Sequence, residues 1–303
     1  MTGTAALATT ITLVTAILTF APSTAAEPEV RVLASVAGKF GNWEVLELDG
    51  LRILACDGVV QGAVPADQAA ITAEALIRGR DYTGLIPFYR PDTRDALLIG
   101  LGAGIHVRAL ESSGIDVHSV DIEPAVVPLA EKYFGFSGEV TVADGRAFLE
   151  ESDRQFDAMI LDTFSGGDMP KQLYTEEAFR RMAADLNPGG VLAVHLIAAP
   201  QHPATQAIAK TLGSAFPHVV SLRSEPGVEQ IQHLYLLASD RALTLTSEQR
   251  LAIDRCGFTG KEFFEVETGR ASVLTDETTQ LDKLGSDLAE EHRRRSHRLL
   301  KRP

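Results

Sequence analysis

Only two cysteines, Cys56 and Cys256, occur in 303 residues, and they lie far apart. With no CxxC pair and no further thiol, neither a structural zinc site nor a disulfide framework can be built from them. Both read as small buried hydrophobes. Aromatic residues make up only 6% of the chain, with a single tryptophan. Basic residues are outnumbered, 28 Lys and Arg against 41 Asp and Glu, for a formal net charge of −13. A surface of that sign argues against nucleic acid as the main partner, because phosphate binding needs a basic face, and it suits a cationic ligand. No internal repeat is visible. No apolar run reaches the roughly 20 residues of a membrane span. What remains is 45% hydrophobic and 23% charged residues, the balance of a folded chain with one large domain plus extensions or a smaller companion.

Residues 5–21 are uncharged and mostly apolar, with Ile11, Leu13, Val14, Ile17, Leu18 and Phe20 supplying the bulk. Small residues from Pro22 to Ala26 then resemble a signal-peptidase site, but no Lys or Arg precedes Ala5 as a secretory signal requires. The first basic residues, Arg31 and Lys39, follow the segment and place the rest of the chain on the cytoplasmic side. The segment therefore reads as a short membrane anchor, or a remnant of one, with a secreted protein as the alternative.

Four regions are expected: the apolar segment 1–26, a β region 27–65, a nucleoside-binding catalytic domain 66–240, and a helical extension 241–303 with a basic tail. Strands are expected at 30–33, 43–48 and 51–56, the last two joined by Asp49-Gly50, a strong hairpin signal. Residues 66–78 read as a helix, with Ala69, Ala70, Ala73 and Leu76 on its apolar side. From Ala96 onward strands and helices alternate, which implies a parallel sheet with crossovers. Strands are expected at 96–99, 117–120, 140–142, 158–161 and 191–196, with a helix beginning at Pro124 and a helix stop at Asn187-Pro188-Gly189-Gly190. A helix at 205–216 leads to 219–222 and 233–237, which could complete the sheet as an antiparallel edge pair. The arginines beyond Ala289 read as a solvated helix end. The fold class is thus α/β, a Rossmann-like nucleoside domain preceded by a small β-strand region.

Gly100, Gly102 and Gly104 follow the first strand of this pattern directly. A turn at that place needs glycine because the backbone must bend sharply and approach a ligand without a Cβ in the way. Asp121 closes the second strand about 20 residues later, where a carboxylate can accept hydrogen bonds from both ribose hydroxyls; its alternative is to cap the helix near Pro124. Asp144-Gly145 follows the third strand, where Asp144 could accept an adenine amine and Gly145 would admit the ring; capping the next helix is the alternative. A dinucleotide is disfavoured, since the last glycine of GxGxxG would fall at Ile105. Asp162 ends the fourth strand ahead of a glycine-containing loop. His106, His118 and His195 have no ligand-spaced partners and read as core or surface residues, so no metal is expected.

These residues carry a resemblance. LACDGVVQ (54–61), LLIGLGAG (97–104), SVDIEP (119–124), ADGRAFL (143–149) and FDAMILD (156–162) resemble the spermidine synthases, the polyamine aminopropyltransferases. The branch they look closest to is the bacterial one in which this domain follows membrane helices. The resemblance covers roughly 30–238 and implies a Rossmann-like class I S-adenosylmethionine-dependent transferase fold. It also implies an aminopropyl group passed from decarboxylated S-adenosylmethionine to a small amine such as putrescine. Gln61 would contact this donor, Asp121 with Ile122 the ribose side, Asp144 the adenine, and Asp162 the incoming amine, which a carboxylate must orient and help deprotonate. The family often forms homodimers.

Three departures accompany the resemblance. The family's aspartate in the glycine turn is Ala103 here, so the carboxylate that would bind the donor's free amine and repel S-adenosylmethionine itself is missing. The family's second aspartate is Ser165, although Asp168 could reach the same space as a substrate-binding group. The Tyr-His pair expected after Gln61 is absent from 67–72. Ala103 permits a second reading, a methyltransferase using S-adenosylmethionine itself, and a non-catalytic nucleoside-binding module is the third.

Overall fold

The computed structural model describes residues 30–67, 71–163 and 169–300. Ser165 and Asp168, together with the apolar segment 5–21, lie outside the described residues.

The chain opens with a four-stranded antiparallel meander, β1 (Arg31–Ala37), β2 (Asn42–Leu48), β3 (Leu51–Cys56) and β4 (Val59–Pro65). Asp49-Gly50 makes the expected tight turn, with φ of 51° and 76°. Asp57-Gly58 repeats it at 49° and 74°, creating a fourth strand that the sequence reading did not separate. Alternation by two gives the sheet two apolar faces. Trp43, Val45, Leu54 and Cys56 join the main core, while Leu46, Leu48, Ile53 and Ala55 form a smaller cluster against Leu300. Both cysteines are buried free thiols, and burial pushes Cys56 up to about 11.

The second sheet has eight strands in the order β12-β10-β11-β9-β8-β5-β6-β7. Its parallel part comprises β5 (Asp95–Ile99), β6 (Asp116–Asp121), β7 (Glu139–Val142), β8 (Phe156–Leu161) and β9 (Leu186–Ala198). Ala96, Leu98, Ala158 and Ile160 face one core, and Leu97, Ile99, Met159 and Leu161 the other, all at most 3% exposed. Each fully buried Leu or Ile contributes about 1.5–3 kcal/mol. Chain order reverses between β5 and β8, the switch point where open α/β sheets bind ligands. β11 (Gln232–Ser239) and β10 (His218–Arg223) continue the sheet antiparallel, as expected, but the short β12 (Phe263–Phe264) forms the outer edge.

Four expectations need correction. The helix expected at 66–78 is Ala73–Arg78, because β4 runs to Pro65 and the Thr72 hydroxyl caps the Ala75 N–H at 3.1 Å. Pro124 sits in a turn rather than at the helix start. The Glu123 carboxylate accepts the Ala125 N–H at 3.0 Å, and the helix is Val126–Phe134. Asn187-Pro188-Gly189-Gly190 does follow the end of a helix, Glu176–Ala184, but the strand expected at 191–196 already begins at Leu186, and Gly189 takes φ of 77° in an irregular pairing with β8. The basic tail is solvated on one side only, where the Arg294 and Arg298 side chains stay exposed. Helix Ser286–Leu300 lays one side on β4, its Ser296 hydroxyl accepting the Val60 N–H at 3.1 Å.

Candidate active site

Strand ends build the first wall. A Cβ at Gly100, which has φ of 99°, would lie 1.9 Å from the Asp162 carbonyl oxygen, so only glycine lets the ends of β5 and β8 come together. Below them opens a cleft of about 230 Å³ lined by Gln61, Gly100, Gly102, Asp121, Ile122, Asp144, Gly145 and Asp162. Gly104 does not line it. A Cβ there would meet Phe136 at 2.9 Å, so this glycine serves packing behind the turn.

The Asp121 carboxylate accepts the N–H groups of Leu101 and Glu123, each at 2.8 Å, and so orders the glycine turn from within. Burial raises its pKa above the ordinary value despite these bonds. Ile122 leaves 38% of its surface open on the cleft, an apolar wall suited to a flat ring. Asp144 caps helix Gly145–Glu151 through one oxygen, while Gln172 donates to the other at 3.3 Å. Gly145 is required by packing, since a Cβ would stand 2.5 Å from Ile99. Glu123 was not expected at the site. Only 2% exposed, it accepts the Phe40 N–H at 2.8 Å and so brings Phe40 and Trp43 of the small sheet to the cleft.

Gln61 reaches the site through an irregularity. Leu54 pairs with Gly62 and Ala55 with Val60, so Gln61 is the extra residue of a β-bulge. A bulge re-aims a side chain, here onto the boundary of two cavities. The second cavity, about 150 Å³, shares Gln61 and Asp162 with the first. Its apolar walls are Val60, Ile197, Ile231 and Leu299; its polar groups are His195, Glu225, Gln232, His233, His292 and Arg295. Helix Ser286–Leu300 supplies the last two, with Ser296 and Leu299.

Asp162 is gripped on both oxygens. His195 Nδ1 lies 2.7 Å from Oδ1, and His106 Nδ1 lies 3.3 Å from Oδ2. Burial would raise its pKa, but the charge and hydrogen bond of His195, with the charge of His106, hold it below the ordinary value. His106 in turn meets Asp81 at 2.8 Å. Burial opposes its protonation, but Asp81 and Asp162 outweigh burial and raise it to about 9. Asp81 is itself held low by His106 against the effect of burial. On the other side, His195 Nε2 is 2.9 Å from His233 Nδ1, and burial together with the charge of His195 presses His233 down to about 3. His292 is held at about 4, chiefly by burial.

Sequence reasoning missed this set. His106 and His195 were read as core or surface residues, and both are only 8% exposed, yet each is bonded to Asp162. No local signal marked His195; only the register of β8 and β9, in which Leu161 pairs with Val194, sets Asp162 beside His195. Among the described residues no group of three or more His, Cys, Asp or Glu is arranged to hold a metal ion. Nor is any helix among them long and apolar enough to cross a membrane.

A glycine turn, acidic strand ends and a switch-point cleft define a Rossmann-like fold of the S-adenosylmethionine-dependent class. A family profile described as S-adenosyl-L-methionine-dependent methyltransferase matches residues 125–207. The chain is 31% identical over 217 residues to polyamine aminopropyltransferase 2 of Hyperthermus butylicus, covering 65% of this chain and 68% of that one. It belongs to the polyamine aminopropyltransferase family, the spermidine synthases. A probable polyamine aminopropyl transferase of Bifidobacterium longum is 30% identical over 136 residues, 43% of this chain. An N-terminal histidine N-methyltransferase of Emericella nidulans is 32% identical over 191 residues, 56% of this chain. This chain spans only 30% and 34% of the lengths of those two relatives. Among solved structures, a probable spermidine synthase from Corynebacterium glutamicum shares the fold at TM-score 0.69 and 18% identity, covering 82% of this chain and 98% of that one. The Thermotoga maritima spermidine synthase matches at 0.56 and 18%, covering 76% and 85%.

Proposed function

We propose that the protein transfers an aminopropyl group from decarboxylated S-adenosylmethionine to a small amine such as putrescine. The observation that carries this reading is the junction of two cavities at one carboxylate, Asp162. The glycine-turn cleft has the groups to hold the nucleoside, with Asp121 toward the ribose, Ile122 and Gly145 against the ring, and Asp144 toward the exocyclic amine. Gln61 and Asp162 then stand between the sulfonium and the second cavity. An ionised Asp162 attracts the acceptor ammonium and orients its nitrogen. Once the amine has lost a proton, its lone pair forms the C–N bond, and the electrons of the C–S bond pass to sulfur, leaving a neutral thioether. Ser165 and Asp168, outside the described residues, are proposed to complete the amine contacts.

A second reading, methyl transfer from S-adenosylmethionine, is favoured by one residue. Ala103, 3% exposed, stands in the glycine turn, so that turn offers no carboxylate to a donor's free amine or against a donor's carboxylate. The test is to incubate the full chain with putrescine and each donor separately and to identify products by mass spectrometry. Aminopropylated putrescine from the decarboxylated donor, lost in Asp162→Asn, is the expected result. A methylated product, or turnover with S-adenosylmethionine alone, would replace the first reading by the second.

A further inference from the structure

The second cavity is acidic where Asp162 enters it, but its far wall carries both signs of charge, Glu225 and Arg295. One short stretch of chain holds the two. The Glu225 N–H donates to Gln232 Oε1 at 2.7 Å, and Arg295 Nη1 donates to the Ile231 carbonyl at 2.7 Å. Gln232, only 3% exposed, is braced in turn by its amide on the Val228 carbonyl. Although anchored side by side, the two charges do not pair with each other. The Glu225 carboxylate has no ion pair or hydrogen bond among the described residues. Arg295, 24% exposed at its side chain, meets Glu291, but Arg294 and Arg298 contact the same carboxylate, so its charge is only partly compensated. The imidazoles of His233 and His292 add no charge at neutral pH, since burial holds them at about 3 and about 4.

Strand register sets the span of the cavity. Leu161 pairs with Val194, and His195 pairs with Tyr235, so Asp162 stands level with Tyr235. Ile231 lies four residues back along that chain, about 13 Å away at the rise of an extended strand. An extended amine with roughly three or four methylenes closes such a gap, with a hydrogen bond at each end. A plain diamine suits only half of the far wall. Its distal ammonium would meet Glu225 but lie beside the Arg295 guanidinium, and like charges set together in an enclosed site cost affinity. An α-amino acid offers the matching pair, an ammonium for Glu225 and a planar carboxylate for the fork of Arg295.

We propose that the acceptor is an α-amino acid with a terminal amine, of ornithine's class, held by Arg295 at its carboxylate and by Glu225 at its α-ammonium. Its terminal nitrogen then rests on Asp162. The inference rests on the amine reading of this cavity and narrows it. Putrescine, which has no carboxylate, occupies the same place as a weaker acceptor.

The test titrates L-ornithine, putrescine and n-butylamine calorimetrically into the full chain holding 5′-methylthioadenosine, the thioether that the donor becomes. Ornithine should bind about tenfold more tightly than putrescine, the scale of one charge-assisted contact. Arg295→Gln should remove that advantage and leave putrescine and butylamine within about threefold of native, whereas Arg295→Lys should keep part of it. Glu225→Gln should weaken ornithine and putrescine about tenfold and spare butylamine, which has no second cation. If Arg295→Gln fails to fold, Glu225→Gln and the native ranking of the three ligands decide. Putrescine binding as tightly as ornithine to the native protein would overturn the inference and leave the amine reading standing. An equal loss for all three ligands in either variant would do the same, since that marks a structural role. No binding heat from any of the three would overturn the amine reading itself, and the inference with it.

Discussion

The cleft proposed for the nucleoside and the cavity proposed for the acceptor meet at Gln61 and Asp162 but are built by different means. The cleft is made by the ends of β5, β6, β7 and β8, each delivering its group within a residue or two of the strand. Its chemistry is that of backbone N–H groups, glycines and single carboxylates. The acceptor cavity is assembled from a bulge in β4, from β9 and β11, and from a helix whose Ser296 is 236 positions away from the Val60 it binds. Glycine turns and acidic strand ends are local and fit one generic donor. A wall drawn from distant segments can change without disturbing the sheet, and here it is lined by the imidazoles of His195, His233 and His292.

The strongest way to break that comparison is Asp162→Asn. Turnover should fall about 10²–10⁴-fold, as for loss of a group that orients and deprotonates a nucleophile. Donor affinity, read by calorimetry, should stay within about threefold; an equal loss of affinity would mean that the two halves are not separable. Next is Asp121→Ala, which removes the carboxylate ordering the glycine turn. Donor affinity should fall about 10–100-fold, the scale of one or two hydrogen bonds to a charged group, with the amine KM unchanged. Ala103→Asp sharpens the comparison from the donor side. A carboxylate there should shift the ratio of affinities toward the decarboxylated donor by about tenfold, measured by competition between the two donors. An unchanged ratio would place the donor's tail away from the turn.

The smallest effect is on stability. His106, held at about 9 by Asp81 against burial, stabilises the fold fully below its unfolded pKa of about 6.5 and loses that contribution as the pH rises through 9. His233 and His292, held at about 3 and about 4 by burial, stay unprotonated in the fold, so stability declines as the pH falls below about 6.5. The thermal midpoint should therefore peak near pH 6.5, and His233→Asn should flatten its acid side. A midpoint still rising at pH 9 would contradict the Asp81–His106 pairing.

The same contrast explains what the sequence made legible. The order of strands, the glycine turn and the acids at 121, 144 and 162 could all be read because period-two apolar runs and short motifs are encoded within a dozen residues. Gln61 was named by resemblance, but the bulge that aims it depends on pairing between β3 and β4. Asp81 and His233 carried no local signal, and His195 was passed over because a histidine on an apolar strand has the same appearance whether it fills a core or holds a carboxylate. The C-terminal helix was misread for a related reason: a run of arginines shows charge, not the face on which Ser296 and Leu299 turn inward.

The central claim is that a nucleoside and an amine meet at Asp162 from opposite cavities. The most direct test is a crystal structure of the full chain with 5′-methylthioadenosine and putrescine bound together. The account predicts the ribose near Asp121, the adenine between Ile122 and Gly145, and an amine nitrogen within about 3.2 Å of the Asp162 carboxylate. A nucleoside seated elsewhere, or an amine that leaves the cavity beside His195 and His233 empty, would contradict it.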